Sequence, residues 1–392
     1  MNRKKIKLGE LCKPQKGQIK ESPNTIIDYI DISSVDSNSK TITGYQTMPF
    51  SEAPSRARKP VEKNSVIVST VRPNLNAVAV FKKETNNKPV VSTGFCVLDS
   101  KENVDYRFIF NFCRSKTFVD NMVSQATGAS YPAVTDKIIR SALVPEYSYE
   151  EQCEISSVLD RISQIIESRK RELLTLDDLV KAQFVEMFGD PIHNTNNMPV
   201  LPMTDVCEII DGDRGKNYPK QEDFFEEEYC LFLNAKNVTK RGFNFSECMY
   251  ITKEKDDALR KGKLQRGDVV LTTRGTLGNL AFYTNDVPFE NVRINSGMVI
   301  LRMNRNIIDE GFFIEQFRMQ VDDIKTSIAS GSAQPQLPIS TMNKIAMIVP
   351  DLSLQKEYTS FVAQVDKSKI AIQKSLETIQ VLFDSLMQQY FG

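Results

Sequence analysis

Two stretches 203 residues apart decide how this chain is read: ATGASYPAVTDKIIRSALVPEYSYEEQ, residues 126–152, and ASGSAQPQLPISTMNKIAMIVPDLSLQKE, residues 329–357. Each holds a Gly-x-x-x-Pro turn, an apolar strand ending in Val-Pro, and the start of an amphipathic helix. Both helices run to a shared ending, MFG at 187–189 and YFG at 390–392. The same shift relates Gly94 to Gly297, Gly128 to Gly331 and Pro132 to Pro335, with a two-residue slip before Val349-Pro350 that then recovers. One shift holding across domain and helix argues for duplication of a whole unit. A domain–helix–domain–helix chain suits a target that is itself two-fold, and duplex DNA is the commonest of these.

The helices give the firmest local inference. Val362, Val365, Lys369, Ile372, Leu376, Ile379, Phe383, Leu386 and Tyr390 alternate steps of three and four, a heptad seam over four repeats. Shifted back, the seam is Leu159, Ile162, Ile166, Arg169, Leu173, Leu176, Val180, Gln183 and Met187. About 30 helical residues make a rod on the order of 45 Å long with one apolar stripe. The rods are expected to bury their stripes against each other as an antiparallel coiled coil, the polar Arg169, Gln183 and Lys369 fixing register. Between the helices the pattern is mixed, with strands at 64–72, 267–274, 94–98 and 297–301. Helical stretches follow at 106–123 and 311–328. The fold class is α+β: two similar α/β domains alternating with two long helices. The boundaries fall at 1–147, 148–189, 190–352 and 353–392.

Composition excludes several classes. No run approaches the roughly 18 apolar residues of a membrane span, and the basic start MNRKKIKLGE leads into no apolar signal segment. The seven cysteines contain no C-x-x-C pair and read as reduced thiols of a cytoplasmic protein. The single histidine, His193, lies in the turn-rich DPIHNTNNMP and reads as a linker residue. Asn/Asp-Pro-Pro-aromatic, Gly-rich nucleotide-loop and Walker motifs are absent, and Asp351 reads as an acid at a helix start. Neither a catalytic nor a metal site is expected. The zero net charge hides a split: +9 over residues 1–145, −6 over 146–190, −2 over 191–349 and −1 over 350–392. The first domain has the cationic excess that phosphate contact requires, while the first helix repels polyanions.

Base reading favours Arg, Lys, Asn and Gln. The candidates in the first domain are Lys13, Lys16, Lys20, Arg56, Arg58, Lys59, Arg72, Asn74 and Asn76. In the second they are Arg214, Lys216, Asn217, Lys236, Asn237, Lys240, Arg241, Arg274, Gln334 and Gln336. Arg72 and Arg274 both follow a strand and are expected at equivalent positions. Gly128, Pro132, Gly331 and Pro335 read as structural turn residues.

The doubled architecture, the TGASYP and SGSAQPQLP turns, the EEQ and LQKE helix starts and the FGDP and YFG endings together resemble the specificity subunits of type I restriction–modification systems. The resemblance covers nearly the whole chain, although the first turn has Tyr131-Pro132-Ala133-Val134 where the second has the fuller Gln-x-x-Leu-Pro form. It implies two target-recognition domains, each reading half of a bipartite asymmetric DNA site, and paired helices that act as a ruler. It implies partners as well: two adenine-methyltransferase subunits and two restriction subunits. S-adenosylmethionine, ATP and Mg2+ would belong to those partners, and this chain itself would be non-catalytic. The alternative is a duplicated coiled-coil scaffold that binds proteins without reading DNA.

Overall fold

The structure is a computed structural model that describes residues 3–20, 25–83, 86–328 and 336–392. The chain forms two compact units, Met1–Arg171 with Ile372–Gly392, and Glu172–Ala371. Each unit therefore takes half of each long helix.

In the first unit Val66–Ser69 lies between Phe95–Leu98 and Val78–Val80, antiparallel to both. A second sheet runs in the order Gln46–Pro49, Ile26–Ile30, Lys88–Ser92, Ala57–Pro60, its middle pair parallel. The second unit repeats this scheme. Val269–Thr272 lies between Met298–Met303 and Leu280–Phe282, with Cys207–Asp211 added outside Met298–Met303. Cys230–Leu233 runs parallel to Val292–Ile294 and antiparallel to Tyr250–Ile251. The β-branched runs bury both faces, so Val66, Ile67, Val269 and Val270 have no exposed surface.

Each unit closes on a short strand pair, of which only the Val-Pro strand was legible in the sequence. Lys5–Lys7 pairs with Leu143–Pro145, and Val200–Pro202 with Ala346–Ile348. Each Val-Pro strand thus anchors the start of its domain at the point where a long helix begins. The helical stretch expected at 106–123 is two helices, Tyr106–Cys113 and Lys116–Gln125. Ser115 causes the break, since its Oγ caps the second helix by accepting from Phe118 N at 3.2 Å. The second copy has no such cap and runs unbroken over Glu310–Ile328.

The long helices, Tyr149–Phe188 and Leu352–Phe391, have 40 residues each, about 60 Å at 1.5 Å per residue. They are longer than the seam alone suggested. All 18 seam positions are buried or half-buried. The most buried aromatics lie off the seam and belong to the domain cores. In the first unit Phe391 packs on Phe108 and Phe112, with ring centroids at 5.3 and 5.9 Å. In the second, Phe184 and Phe188 pack on Phe312 at 5.3 and 5.0 Å. A buried glutamine locks each helix start. Gln152 accepts from Asp105 N and donates to Tyr147 O, while Gln355 accepts from Asp309 N and donates to Pro350 O. Gly189, at φ +79°, ends the first helix where a Cβ would meet Thr195 Oγ1 at 2.5 Å.

Candidate nucleic-acid interface

The central strand of each unit is followed directly by a threonine whose backbone and hydroxyl bonds are duplicated. Thr70 N donates to Gly94 O at 2.8 Å, its Oγ1 donates to the same oxygen at 2.9 Å, and its carbonyl accepts from Val134 N at 2.8 Å. Thr273 repeats this with Gly297 O at 2.8 and 3.0 Å and Leu337 N at 3.1 Å. A strand end and a turn distant in sequence are thereby fixed side by side, and the residues flanking the threonine project from a rigid frame.

What the frame displays differs between the units. In the first, Arg72 N donates to Pro132 O at 2.7 Å and its guanidinium lies 4.5 Å over the exposed ring of Tyr131. Asn74 and Leu75 stand exposed beside it. In the second, the frame lines a cavity of about 280 Å³ with Asp211, Arg214, Thr273, Arg274 and Gln336 among its walls. Arg214 donates to Asp211 Oδ1 at 3.2 Å and to Ser296 O at 3.3 Å. Arg274 and Gln336 are exposed.

The ladders correct one expectation. Ser69 faces Phe95 as Thr272 faces Met298, so Arg72 matches Gly275, both left-handed at φ 48° and 70°, and Arg274 matches Val71. The two arginines are therefore one residue out of register.

Several other candidates are used by the fold. Asn237 is 1% exposed and holds a turn, donating to Asn244 O and Glu247 O and accepting from Asn234 N. Asn76 donates to Cys113 O and accepts from Lys40. Lys59 is ion-paired with Asp136 at 2.5 Å and donates to Phe95 O. These three are structural, because each side chain's hydrogen-bonding capacity already meets a protein partner.

Lys16 pairs with Glu62 and Asp99, Arg56 with Asp31 and Lys236 with Glu247. Arg58 lies over Phe50, and Asn217 donates to Ala258 O. Lys13, Lys20, Lys216, Lys240 and Arg241 are exposed. Gln334, with Gly331 and Pro335, lies outside the described residues. Tyr131, whose ring extends the Arg72 surface, was missed, since one tyrosine in a turn carries no periodic signal. Among the described residues no group of three His, Cys, Asp or Glu could hold a metal, and no helix is long and apolar enough to cross a membrane.

The family model for the type I restriction modification DNA specificity domain matches residues 2–176 and again 196–381. The type I restriction enzyme MjaIX specificity subunit of Methanocaldococcus jannaschii is 23% identical over 336 residues, covering 82% of this chain and 75% of its own. A chain from a structure on complex assembly and conformational transition of the type I R-M system is similar with a TM-score of 0.63. It is 21% identical and covers 99% of this chain and 97% of its own. The S subunit of the type I restriction–modification system from M. genitalium gives 0.60 at 16% identity, covering 100% and 96%. With the domain matched twice over nearly its whole length, this chain belongs to the type I restriction–modification DNA specificity family, as a specificity subunit carrying the domain twice.

Proposed function

We propose that the domains at 1–147 and 190–352 each read one half of a bipartite, asymmetric DNA site, and that the long helices hold the half-sites at a fixed distance. One observation carries this reading: the threonine frame is the same in both units while the side chains it displays are not. A constant frame with changed display is what two readers of different sequences require. Arg72, Asn74 and Tyr131 in the first unit, and Arg214, Arg274 and Gln336 in the second, are the groups proposed to meet DNA. The exposed lysines and arginines around them would meet phosphates.

The helices at 148–189 and 353–392 serve in this reading as an antiparallel coiled coil. The start of one helix and the end of the other enter the same core in the first unit, through Leu159, Met387 and Phe391. In the second unit Val180 and Phe184 join Tyr358 and Val365, and Lys369 pairs with Asp177 at 2.6 Å. Exposed Leu174, Ile370, Val381 and Leu382 leave apolar surface on the helices of the kind partner subunits cover. Two methyltransferase and two restriction subunits dock there in this proposal and bring S-adenosylmethionine, ATP and Mg2+.

Mapping N6-methyladenine across the host genome with and without this chain tests the reading. A split motif that disappears on deletion is the expected result. Loss of methylation at a continuous, unsplit motif would refute two-part reading.

A further inference from the structure

The two units differ sharply at one place where their scaffolds agree. Asp105 and Asp309, each held by its buried glutamine, open helices that carry Asn111, with Arg114 capping the end, in the first unit and Glu315 and Arg318 in the second. The long-helix position facing them is Ser163 in the first and Asp366 in the second. In the second unit the charges are matched: Arg318 lies 2.5 Å from Glu315, and Asp366 is paired with Lys369. In the first unit both acids are replaced by neutral residues and the arginine remains.

Arg114 has no carboxylate within ion-pair distance, and the one acid that acts on it, Asp160, is paired with Arg107 at 3.3 Å. Its guanidinium donates to Ser163 Oγ at 3.1 Å and lies between the rings of Phe110 and Phe383, and its Nε is buried without a partner. Lys40 is close enough to repel it and donates to the neutral oxygens of Asn76, at 2.6 and 2.8 Å, with Asp36 acting on it only at longer range. Burial pushes the Lys40 ammonium down to about 8 and the Arg114 guanidinium to about 10. Both cations line an open groove of about 920 Å³, with Lys82 and Lys83 exposed on its rim and Ile42, Val80 and Phe110 in its walls.

We propose that this groove of the first unit receives an acidic amphipathic segment of a partner protein, whose carboxylates meet Arg114, Lys40, Lys82 and Lys83 while its apolar side chains cover Ile42, Val80 and Phe110. Cations that outnumber the acids around them, two of them partly desolvated, call for a further anion. The apolar walls favour a polypeptide over a nucleic-acid backbone, which has no apolar face to bury. Asp160 and Glu167 on the helical side of the groove repel a polyanion and leave room for a segment of mixed character. In the second unit Glu315 and Asp366 stand beside Arg318 where the first has Asn111 and Ser163, so in this proposal two identical partners are held unequally. The proposal extends the docking of partners and does not depend on DNA being read.

The test uses the full chain and a fluorescent synthetic helix with a glutamate face and a leucine face, followed by anisotropy, with a lysine-faced helix and a short DNA duplex as separate arms. Wild-type chain should bind the acidic helix and not the basic one. Ser163→Asp, which gives Arg114 the acid present in the second unit, should weaken binding about tenfold or more, equal to about 1.4 kcal/mol. Lys82→Glu with Lys83→Glu, on the exposed rim, should do the same and decides the matter if Ser163→Asp fails to fold. Equal binding by wild type and variants, or no binding by wild type, would overturn the proposal. So would variants that lose only the DNA duplex, which would make the groove a phosphate contact.

Discussion

At the scale of single residues, side-chain type alone does not distinguish a reader from a brace. Asn237 and Gln336 are both amides in loops of the second domain. One is buried in three hydrogen bonds and the other stands exposed at the frame. Arg274→Ala is expected to weaken specific DNA binding by about 1–3 kcal/mol and to relax one half-site only, read by methylation of a randomised target library. Asn237→Ala should instead lower the melting temperature and leave sequence preference unchanged. The Asp256 carboxylate has no exposed surface and is bonded by Arg293 and Lys263. Burial alone would raise its pKa, but the hydrogen bonds and charges of Lys263 and Arg293 outweigh that and hold it below the usual carboxylate range. Its contribution to stability is therefore complete above the unfolded carboxyl pKa of about 3.9 and is lost as pH falls through the lower folded value. Asp256→Asn leaves Arg293 buried and unmatched, and should cost about 3–5 kcal/mol at neutral pH, measured by denaturant unfolding. It should also flatten the acid limb of the stability curve.

At the scale of elements, the long helices were the most legible feature, because a heptad pattern over four repeats has only one periodic reading. The seam found in the sequence is the buried or half-buried side in the structure. Phe184, Phe188, Tyr358 and Phe391 escaped that reading because their burial comes from domain packing, which the heptad does not encode. The three-residue strand Lys5–Lys7 was illegible for another reason. It is too short for periodicity, and its spacing from the Val-Pro strand differs between copies. The threonine frame was invisible too, since the bond that ties the strand end to the turn joins residues 64 apart (Thr70 to Val134, Thr273 to Leu337) through backbone atoms that every residue type possesses. Removing one heptad from each helix shortens the rod by about 10 Å, or about three base pairs. The spacer of the methylated motif should contract accordingly, and an unchanged spacer in an active variant would refute the ruler. Gln152→Ala or Gln355→Ala strips the bonds at a helix start and should cost about 1–3 kcal/mol each, by thermal unfolding.

At the scale of the whole molecule, the shared frame has a consequence for the proposed division of reading between the units. Replacing residues 191–349 with the corresponding domain of another specificity subunit should alter one half of the motif and leave the other intact, as read by genome-wide methylation mapping. The sharing of helices between units sets a different constraint, on the order of assembly. The second unit is continuous in sequence, from Glu172 to Ala371, whereas the first needs Ile372–Gly392. Tyr147 Oη, for example, donates to Tyr390 O across 243 residues of chain. On the ribosome, the first unit must therefore wait for a segment made after the whole of the second, reversing the usual N-to-C order of folding. During that interval the site that Phe391 fills lies open beside Phe108 and Phe112, and the nascent first domain is expected to attract chaperones and proteases for longer than its younger twin.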